Sequence, residues 1–148
     1  MSPEPTSDVT DQPEQNAGRL EFRMAADRTA LPTVTNPISE KLEQLRVPEE
    51  KRYEILLALQ EALANAVVHG CKDDASKKVL CQLEWHSDGR ILIVVIDPGD
   101  GFAFEDVAHP LHPDNFYSDH GRGVYLIREL MDKVSFHNNG NEIRMWKY

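Results

Sequence analysis

Apolar residues recur along this chain with two spacings, one typical of strands and the other of helices. Leu20–Met24 alternates apolar with polar residues, which predicts a first strand. Pro32 and Pro37 then bracket the entry to a first helix, whose apolar residues recur at helical spacing as far as Leu45. The folded part of the chain is therefore expected to begin with a strand followed by a helix.

The strongest helical pattern covers Glu49–His69. Acidic residues follow Pro48 at its start, and Gly70 is a natural stop at its end. Its apolar stripe, which would face a core, consists of Ile55, Leu56, Leu59, Leu63, Ala66 and Val67. We expect one long amphipathic helix here.

Two strands, a helix and a closing hairpin are predicted further along the chain. Val79–Trp85 and Ile91–Ile96 have the composition of strands, and the second is almost wholly apolar, so we expect it near the centre of a sheet. Apolar residues in Gly121–Met131 are spaced for one helical face. The last two strands, Val134–His137 and Ile143–Tyr148, are predicted to form a hairpin.

The order of these elements indicates an α+β fold, a two-layer α/β sandwich with helices on one face of a sheet. Met1–Gly18 is rich in polar residues and proline, so we expect a disordered tail before a single domain over residues 19–148. Phe102–His120 lacks periodicity, and a structureless loop of this length in a compact domain is usually functional.

Composition narrows the class of protein. The 148 residues contain 41% hydrophobic residues and carry a net charge of −9, which argues against nucleic acid as the main partner. No apolar run approaches the roughly 20 residues that span a bilayer, and the N-terminus does not resemble a secretory signal, so we expect a cytoplasmic protein. Cys71 and Cys81 have no metal-site spacing and are interpreted as reduced thiols.

Three short motifs carry the candidate chemistry. Glu61 and Asn65 lie one turn apart on one helix face beside apolar residues, although a partly exposed polar face would look the same. Asp97–Phe102 follows the apolar strand, and its glycines allow close backbone approach to a ligand, as they also would in an ordinary turn. Gly121–Gly123 opens the last helix and would suit a phosphate, or would simply be a flexible helix entry.

The three motifs in this order resemble the nucleotide site of the histidine-kinase-like (GHKL) ATPases. Gln60–Gly70 and Gly121–Asp132 resemble the bacterial anti-sigma-factor serine kinases in particular. The resemblance covers roughly residues 20–148, and it implies a mixed, mostly antiparallel sheet.

Residue roles follow from this resemblance. It implies that Asn65 binds Mg²⁺, which bridges the phosphates of ATP, and that Glu61 is the general base toward the attacking hydroxyl. Asp97 would accept a hydrogen bond from the adenine amino group. Gly99 and Gly101 would let the base and the loop pack closely.

The phosphates would lie against the last helix. Gly121 and Gly123 would cradle them with backbone amides, Arg122 would add a positive charge, and Phe102–His120 would be a mobile lid. Two histidines of the lid, His109 and His112, could bind a metal, but they are more simply interpreted as solvated loop residues. Where the family usually has Gly-Thr beside the adenine, this chain has Gly140-Asn141, and Asn141 could supply a similar hydrogen bond.

The resemblance therefore implies a serine/threonine protein kinase that uses Mg-ATP. Its substrate would be a serine of an anti-anti-sigma partner with a STAS domain, and it would also sequester a sigma factor, as a homodimer. Two alternatives remain open. One is a nucleotide-gated binding module that does not transfer phosphate, and the other is a slow ATP hydrolase of the repair or topoisomerase type.

Overall fold

The computed structural model describes residues 17–99 and 119–148, with side chains from residue 123 onward in the second range. The elements follow the predicted order. The strands are β1 (Gly18–Ala25), β2 (Lys78–Trp85), β3 (Ile91–Ile96), β4 (Lys133–His137) and β5 (Glu142–Lys147), and the helices are α1 (Pro32–Gln44), α2 (Glu49–Asn65) and α3 (Asp119–Leu130). The predicted tail lies outside the described residues except for its end, where Gly18 already belongs to β1.

The five strands form one sheet in the order β1-β2-β3-β5-β4. The apolar strand β3 is therefore central, as its composition predicts. All four pairings among the described strands are antiparallel, so no parallel pair of the expected mixed sheet occurs in this part of the chain. In the sheet, β5 lies between β3 and β4. Its residue Ile143 pairs with Val95 of β3 on one side and with Phe136 of β4 on the other.

The helices pack against one face of the sheet, which confirms the two-layer architecture. Alternate residues of β3, namely Ile91, Ile93 and Val95, belong to the core that the helices cover. The helix side of this core includes Ile38, Leu42, Ile55, Leu59, Leu63, Val67 and Ile127. Burying this apolar surface is the main force that holds the helices on the sheet.

Two helices differ in detail from the prediction. Helix α1 begins at Pro32 and continues through Pro37, which was expected to mark the helix entry. Helix α2 ends at Asn65, and the next five residues, Ala66–Gly70, form a π-helical turn where the sequence predicts a continued α-helix. Periodicity could not reveal this change, because the buried residues Ala66 and Val67 also fit the apolar stripe of a continued α-helix.

The last helix begins earlier than predicted, at Asp119, so Asp119 and His120 belong to α3 and not to the loop before it. The rest of the expected lid lies outside the described residues. A short 3₁₀ turn, Asn138–Gly140, joins β4 to β5, and the left-handed backbone of Asn138 and Asn139 fits the preference of asparagine for such turns.

Candidate functional site

The first part of the site lies where α2 meets α3. A β-carbon added to Gly123 would be 2.9 Å from Asn65 Nδ2, 3.2 Å from Asn65 Oδ1 and 3.3 Å from Glu61 Oε2. The three residues are therefore immediate neighbours, although they come from two helices. Gly123 lies beyond the first four positions of α3, whose amides are the ones that a helix leaves free. Its contribution here is thus the space that it leaves for the two polar side chains.

The second part of the site is at the end of β3. The Asp97 amide donates to the Asn141 carbonyl oxygen at 2.9 Å, which continues the pairing of β3 with β5 past the last strand residue. The Gly99 amide donates to Asp97 Oδ1 at 2.8 Å. Burial raises the pKa of the Asp97 carboxyl, while the Gly99 hydrogen bond and the positive charge of Lys77 act in the opposite direction. A half-buried carboxylate with one oxygen engaged can accept a hydrogen bond from a ligand.

The π-helical turn brings Gly70 against this carboxylate. A β-carbon on Gly70 would overlap the Asp97 carboxyl group, and one on Gly99 would overlap the Gly70 carbonyl oxygen. Gly70 was predicted only as a helix stop, so its role beside Asp97 was missed. The sequence signal that points to it is the glycine itself, since close approach of two chain segments requires the smallest residue.

Asn141 closes this end of the site. Its Nδ2 donates to the Gly99 carbonyl oxygen at 2.7 Å. Its Oδ1 is buried and has no hydrogen-bond partner within the described part of the chain. Asn141 therefore lies beside Asp97, and its contact with adenine stays a prediction.

A cavity of about 170 Å³ connects the two parts of the site. Its polar wall includes Asn65, His69, Asp97 and Asn141, and its apolar wall consists of Ala62, Ala66, Val95, Val124, Ile127, Phe136 and Ile143. A mostly apolar cavity with a few polar groups is the usual form of a small-molecule site. The apolar walls suit a heterocyclic base, and the half-buried carboxylate of Asp97 suits its polar edge.

Several predicted residues cannot be placed. Gly101 and the two lid histidines, His109 and His112, lie outside the described residues. Gly121 and Arg122 belong to the first turns of α3, but only their backbone is described. Their suggested contacts with phosphate remain predictions.

The donor chemistry fits a magnesium ion that is shared with a phosphate ligand. Over residues 17–99 and 123–148, no group of three or more His, Cys, Asp or Glu side chains could hold a metal by itself. Asn65 instead offers one amide oxygen beside the Glu61 carboxylate. Mg²⁺ is commonly held by one or two protein oxygens together with substrate phosphates and water, so this arrangement is compatible with it.

The comparison with protein families decides the class of the chain. Residues 24–147 match the family model described as the histidine kinase-like ATPase domain. The chain belongs to this family. Membership implies ATP binding, and it confirms the resemblance that the three motifs indicated.

Several members of this ATPase family are similar over much of the chain. The serine-protein kinase RsbW of Bacillus subtilis is 28% identical over 90% of this chain and 87% of its own length. The serine-protein kinases RsbW of Bacillus velezensis and Staphylococcus epidermidis are 32% and 34% identical over 64% and 62% of this chain. The aligned part spans 63% and 62% of those two relatives. Their names agree with the expectation of a serine/threonine kinase.

Solved structures share the fold of this ATPase domain. A structure of the RsbU and RsbW domains of Rv1364c from Mycobacterium tuberculosis has a TM-score of 0.62 at 18% identity, covering 88% of this chain and 31% of that one. The SiaB–SiaC complex from Pseudomonas aeruginosa has a TM-score of 0.58 at 10% identity, covering 97% of this chain and 96% of the matched chain. Among the described helices, none is long and apolar enough to cross a membrane.

Proposed function

We propose that this ATPase domain is a Mg²⁺-dependent serine/threonine protein kinase that phosphorylates a serine of an anti-anti-sigma partner with a STAS domain. The observation that carries the proposal is the proximity of Glu61, Asn65 and Gly123. Asn65 also lines the cavity, which extends from there to Asp97. A carboxylate and an amide oxygen are thereby available together where α2 meets α3. The kinase names of the relatives support the same activity.

The reaction assigned to Glu61 is proton removal. Its carboxylate accepts the proton of the serine hydroxyl as the serine oxygen forms a bond to the γ-phosphorus. The bond between that phosphorus and the oxygen bridging to the β-phosphorus breaks, and ADP is the leaving group. Asn65 would hold Mg²⁺ through its amide oxygen, and the ion, when bound, neutralises charge on the phosphates.

The far end of the site holds the base. Asp97 and Asn141 line this end of the cavity, and the walls between them and Asn65 are mostly apolar. A fixed base orients the phosphate chain toward α3, and positioning of this kind accounts for much of the catalysis in phosphoryl transfer.

Further parts of the proposal rest on the resemblance to anti-sigma-factor kinases. The chain would sequester a sigma factor, it would act as a homodimer in the cytoplasm, and phosphorylation of its partner would control the exchange between the two proteins. Regulation by such an exchange needs no contact with nucleic acid, in accord with the net charge of −9.

The test is phosphate transfer to a candidate partner. The purified chain is incubated with Mg²⁺, γ-labelled ATP and a candidate STAS-domain protein, and phosphoserine on that protein is measured. We expect transfer by the wild type and a loss of about a hundredfold or more in Glu61→Gln, since a general base typically contributes 10²–10⁴. Gln60→Ala, at the exposed neighbouring position, is the control and should behave as the wild type.

The outcomes separate the kinase from its alternatives. If wild type and Glu61→Gln bind Mg-ATP equally well but neither transfers phosphate to any serine, the kinase proposal is wrong and the non-catalytic, nucleotide-gated module takes its place. Release of free phosphate without a phosphorylated partner would instead favour a hydrolase.

A further inference from the structure

The outer edge of β1 has no part in the nucleotide site. β1 lies at one end of the sheet, and among the described strands it pairs with β2 alone. It has eight residues, no proline and an unbroken register with β2 from Gly18 to Ala25. A long, regular edge strand can bind another strand through its backbone, and natural proteins usually shorten, bend or cover such an edge.

The register shows which residues of β1 face this edge. The Ala26 amide donates to the Lys77 carbonyl oxygen at 3.0 Å, at the position that continues the register of β1 with β2. Hydrogen-bonded and non-hydrogen-bonded pairs alternate along an antiparallel ladder, so the even-numbered residues of β1 bond to β2. Arg19, Glu21 and Arg23 therefore direct their backbone N–H and C=O groups away from β2.

The side chains of these three residues alternate in charge. All three are exposed, and they point to the sheet face opposite the helices. Glu21 contacts Arg19 and accepts from Gln82 Nε2 at 3.1 Å, whereas Arg23 lies across from Leu80, which offers it no charge. A carboxylate and a guanidinium two positions apart can pair with the same two groups of an antiparallel copy.

One register of β1 against a second copy of itself pairs opposite charges and uses most of the strand. With Phe22 opposite its own copy, Glu21 faces Arg23 of the second copy, and Arg23 faces Glu21 of the second copy. Centring the pairing on Glu21 or on Arg23 would place that residue against its own charge, which is unfavourable in a sheet. Centring it on Leu20 would leave Arg23 beyond the strand of the second copy.

The same register extends the apolar side of the edge. Leu20 and Phe22 are only partly buried at the margin of the core. Phe22 would face Phe22 of the second copy, and Leu20 would face Met24 of the second copy, and such cross-strand pairs stabilise a sheet. Because the twofold axis would be perpendicular to the sheet, the helices of both copies would cover one face of a joined sheet, with five strands from each copy.

The opposite edge strand lacks this self-complementarity. β4 has only five residues, and its ionisable side chains, Lys133 and His137, carry no negative charge. A second β4 would therefore offer it no opposite charge. The two edges of the sheet differ in both length and charge pattern, and both differences favour β1.

We infer that β1 is the dimer interface of this protein, where it pairs antiparallel with β1 of a second copy in the register that places Glu21 opposite Arg23. The inference rests on the homodimer of the proposed function and supplies its interface. It does not depend on phosphate transfer, so the two can be tested separately.

Charge reversal tests this interface. The dissociation constant of the dimer would be measured by sedimentation equilibrium on the full chain, for the wild type, Arg23→Glu and the double variant Glu21→Arg/Arg23→Glu. We expect Arg23→Glu to weaken the dimer by about tenfold or more, because it sets like charges against each other twice across the axis. The double variant exchanges the two charges, so it should bring the dissociation constant back toward the wild-type value.

The control is Lys133→Glu on β4, which changes the net charge by the same amount as Arg23→Glu. It should leave the dissociation constant unchanged. Urea unfolding of each variant would show that the fold is intact, as expected for substitutions at exposed positions.

Each outcome bears on a different statement. If the wild type is a dimer and Arg23→Glu dimerises equally well, the inference is wrong while the homodimer stands. No recovery in the double variant would overturn the register, and weakening by Lys133→Glu alone would place the interface at β4. If the wild type is a monomer, the homodimer and its interface both fail, and phosphate transfer still decides the kinase activity.

Discussion

Gly123 of α3 lies so close to Asn65 of α2 that a β-carbon on it would be 2.9 Å from the Asn65 Nδ2 atom. The same β-carbon would be 3.3 Å from Glu61 Oε2. The two helices therefore approach at a point where a glycine faces the two polar residues of the site. Any side chain here would compete for the space in which Glu61 and Asn65 take up their orientations.

Gly123→Ala should separate activity from stability. The added methyl group would push the ends of two flexible side chains by a few tenths of an ångström, whereas alanine favours a helix over glycine by about 1 kcal/mol. We expect Mg²⁺-dependent nucleotide binding to weaken by about tenfold or more, with no loss in the free energy of unfolding. Calorimetric titration and urea unfolding of the same protein would measure both.

A control for this variant is Glu129→Ala at an exposed position of α3. It should leave nucleotide affinity unchanged. If Gly123→Ala also binds nucleotide as the wild type does, the proximity of Gly123 to Asn65 has no functional consequence.

Gly70→Ala should be more damaging than Gly123→Ala. Its β-carbon would overlap the carboxyl group of Asp97, and that carboxyl group is held in place by the Gly99 amide. Removing this overlap requires the backbone to shift. We therefore expect a loss of about 1–3 kcal/mol in the free energy of unfolding, as for overpacked side chains in other protein cores. Adenine nucleotide binding should be lost as well. A variant with wild-type stability and affinity would show that the π-helical turn accommodates a side chain.

Asp97→Asn should stabilise the free protein while weakening nucleotide binding. Burial raises the pKa of Asp97 in the folded state, so ionisation there opposes folding as the pH rises above about 3.8. Asparagine removes that cost and still accepts from the Gly99 amide. We expect a higher free energy of unfolding than the wild type at pH 7, and a smaller difference as the pH falls toward 4.

The matched control is Asp88→Asn, because the pKa of Asp88 is shifted the other way. Hydrogen bonds from Arg90 lower it, so the ionised form of Asp88 favours the folded state above its ordinary pKa. Asp88→Asn should therefore be neutral or slightly less stable than the wild type at pH 7. Equal signs for the two variants would contradict the electrostatic account of Asp97.

Cys81 should be inert to alkylation in the folded protein. Burial raises its pKa to about 12 from 9.0. Burial also raises the pKa of Cys71, with Asp97 adding to the effect. Since the thiolate is the reactive form, iodoacetamide at pH 8 should label neither residue until the chain unfolds. Mass spectrometry with and without urea would show this, and labelling of the native protein at Cys81 would contradict it.

The raised pKa of Cys81 also makes the free energy of unfolding depend on pH. A thiol whose folded pKa is raised favours folding fully below its unfolded pKa, and this advantage is lost as the pH rises from about 9 toward 12. Cys81→Val should therefore lose less stability than the wild type over that interval.

Lys147 should contribute more to stability than any exposed lysine. It is only 8% exposed, and its Nζ lies 2.9 Å from Glu54 Oε1 and 2.6 Å from the Leu130 carbonyl oxygen. Lys147→Met would leave these acceptors unpaired, and we expect a loss of about 2 kcal/mol in the free energy of unfolding. Lys133→Met, at an exposed position of β4, should change it by less than about 0.5 kcal/mol.

The sequence was sufficient for those parts of the fold that depend on periodicity. The uninterrupted apolar run Ile91–Ile96 predicted a central strand because a strand covered on both sides has no polar face. The stripe of α2 predicted its buried side in the same way. The start of α1 was less well predicted, because proline is tolerated within a helix when its neighbours compensate, as at Pro37.

Motifs in the sequence were enough to choose candidate site residues, but not to predict the contacts among them. Glu61, Asn65, Asp97 and Asn141 were identified from motifs, yet nothing in the spacing of residues along the chain shows that Gly123 faces Asn65. The same holds for Gly70 beside Asp97, since a π-helical turn after Asn65 re-aims the backbone without a distinctive composition. Contacts between segments far apart in sequence arise only from the tertiary fold.

The position of β5 between β3 and β4 also affects how easily the last hairpin separates from the rest of the sheet. Asp97 follows β3, and Asn141 precedes β5. The cavity therefore exists only while β5, the second strand of the last hairpin, is paired with the central strand β3. A nucleotide that contacts both residues would stabilise the pairing of β5 with β3. Backbone amides of β4 and β5 should then exchange with solvent deuterium more slowly when nucleotide is bound, so that the occupancy of the cavity is reported by the hairpin.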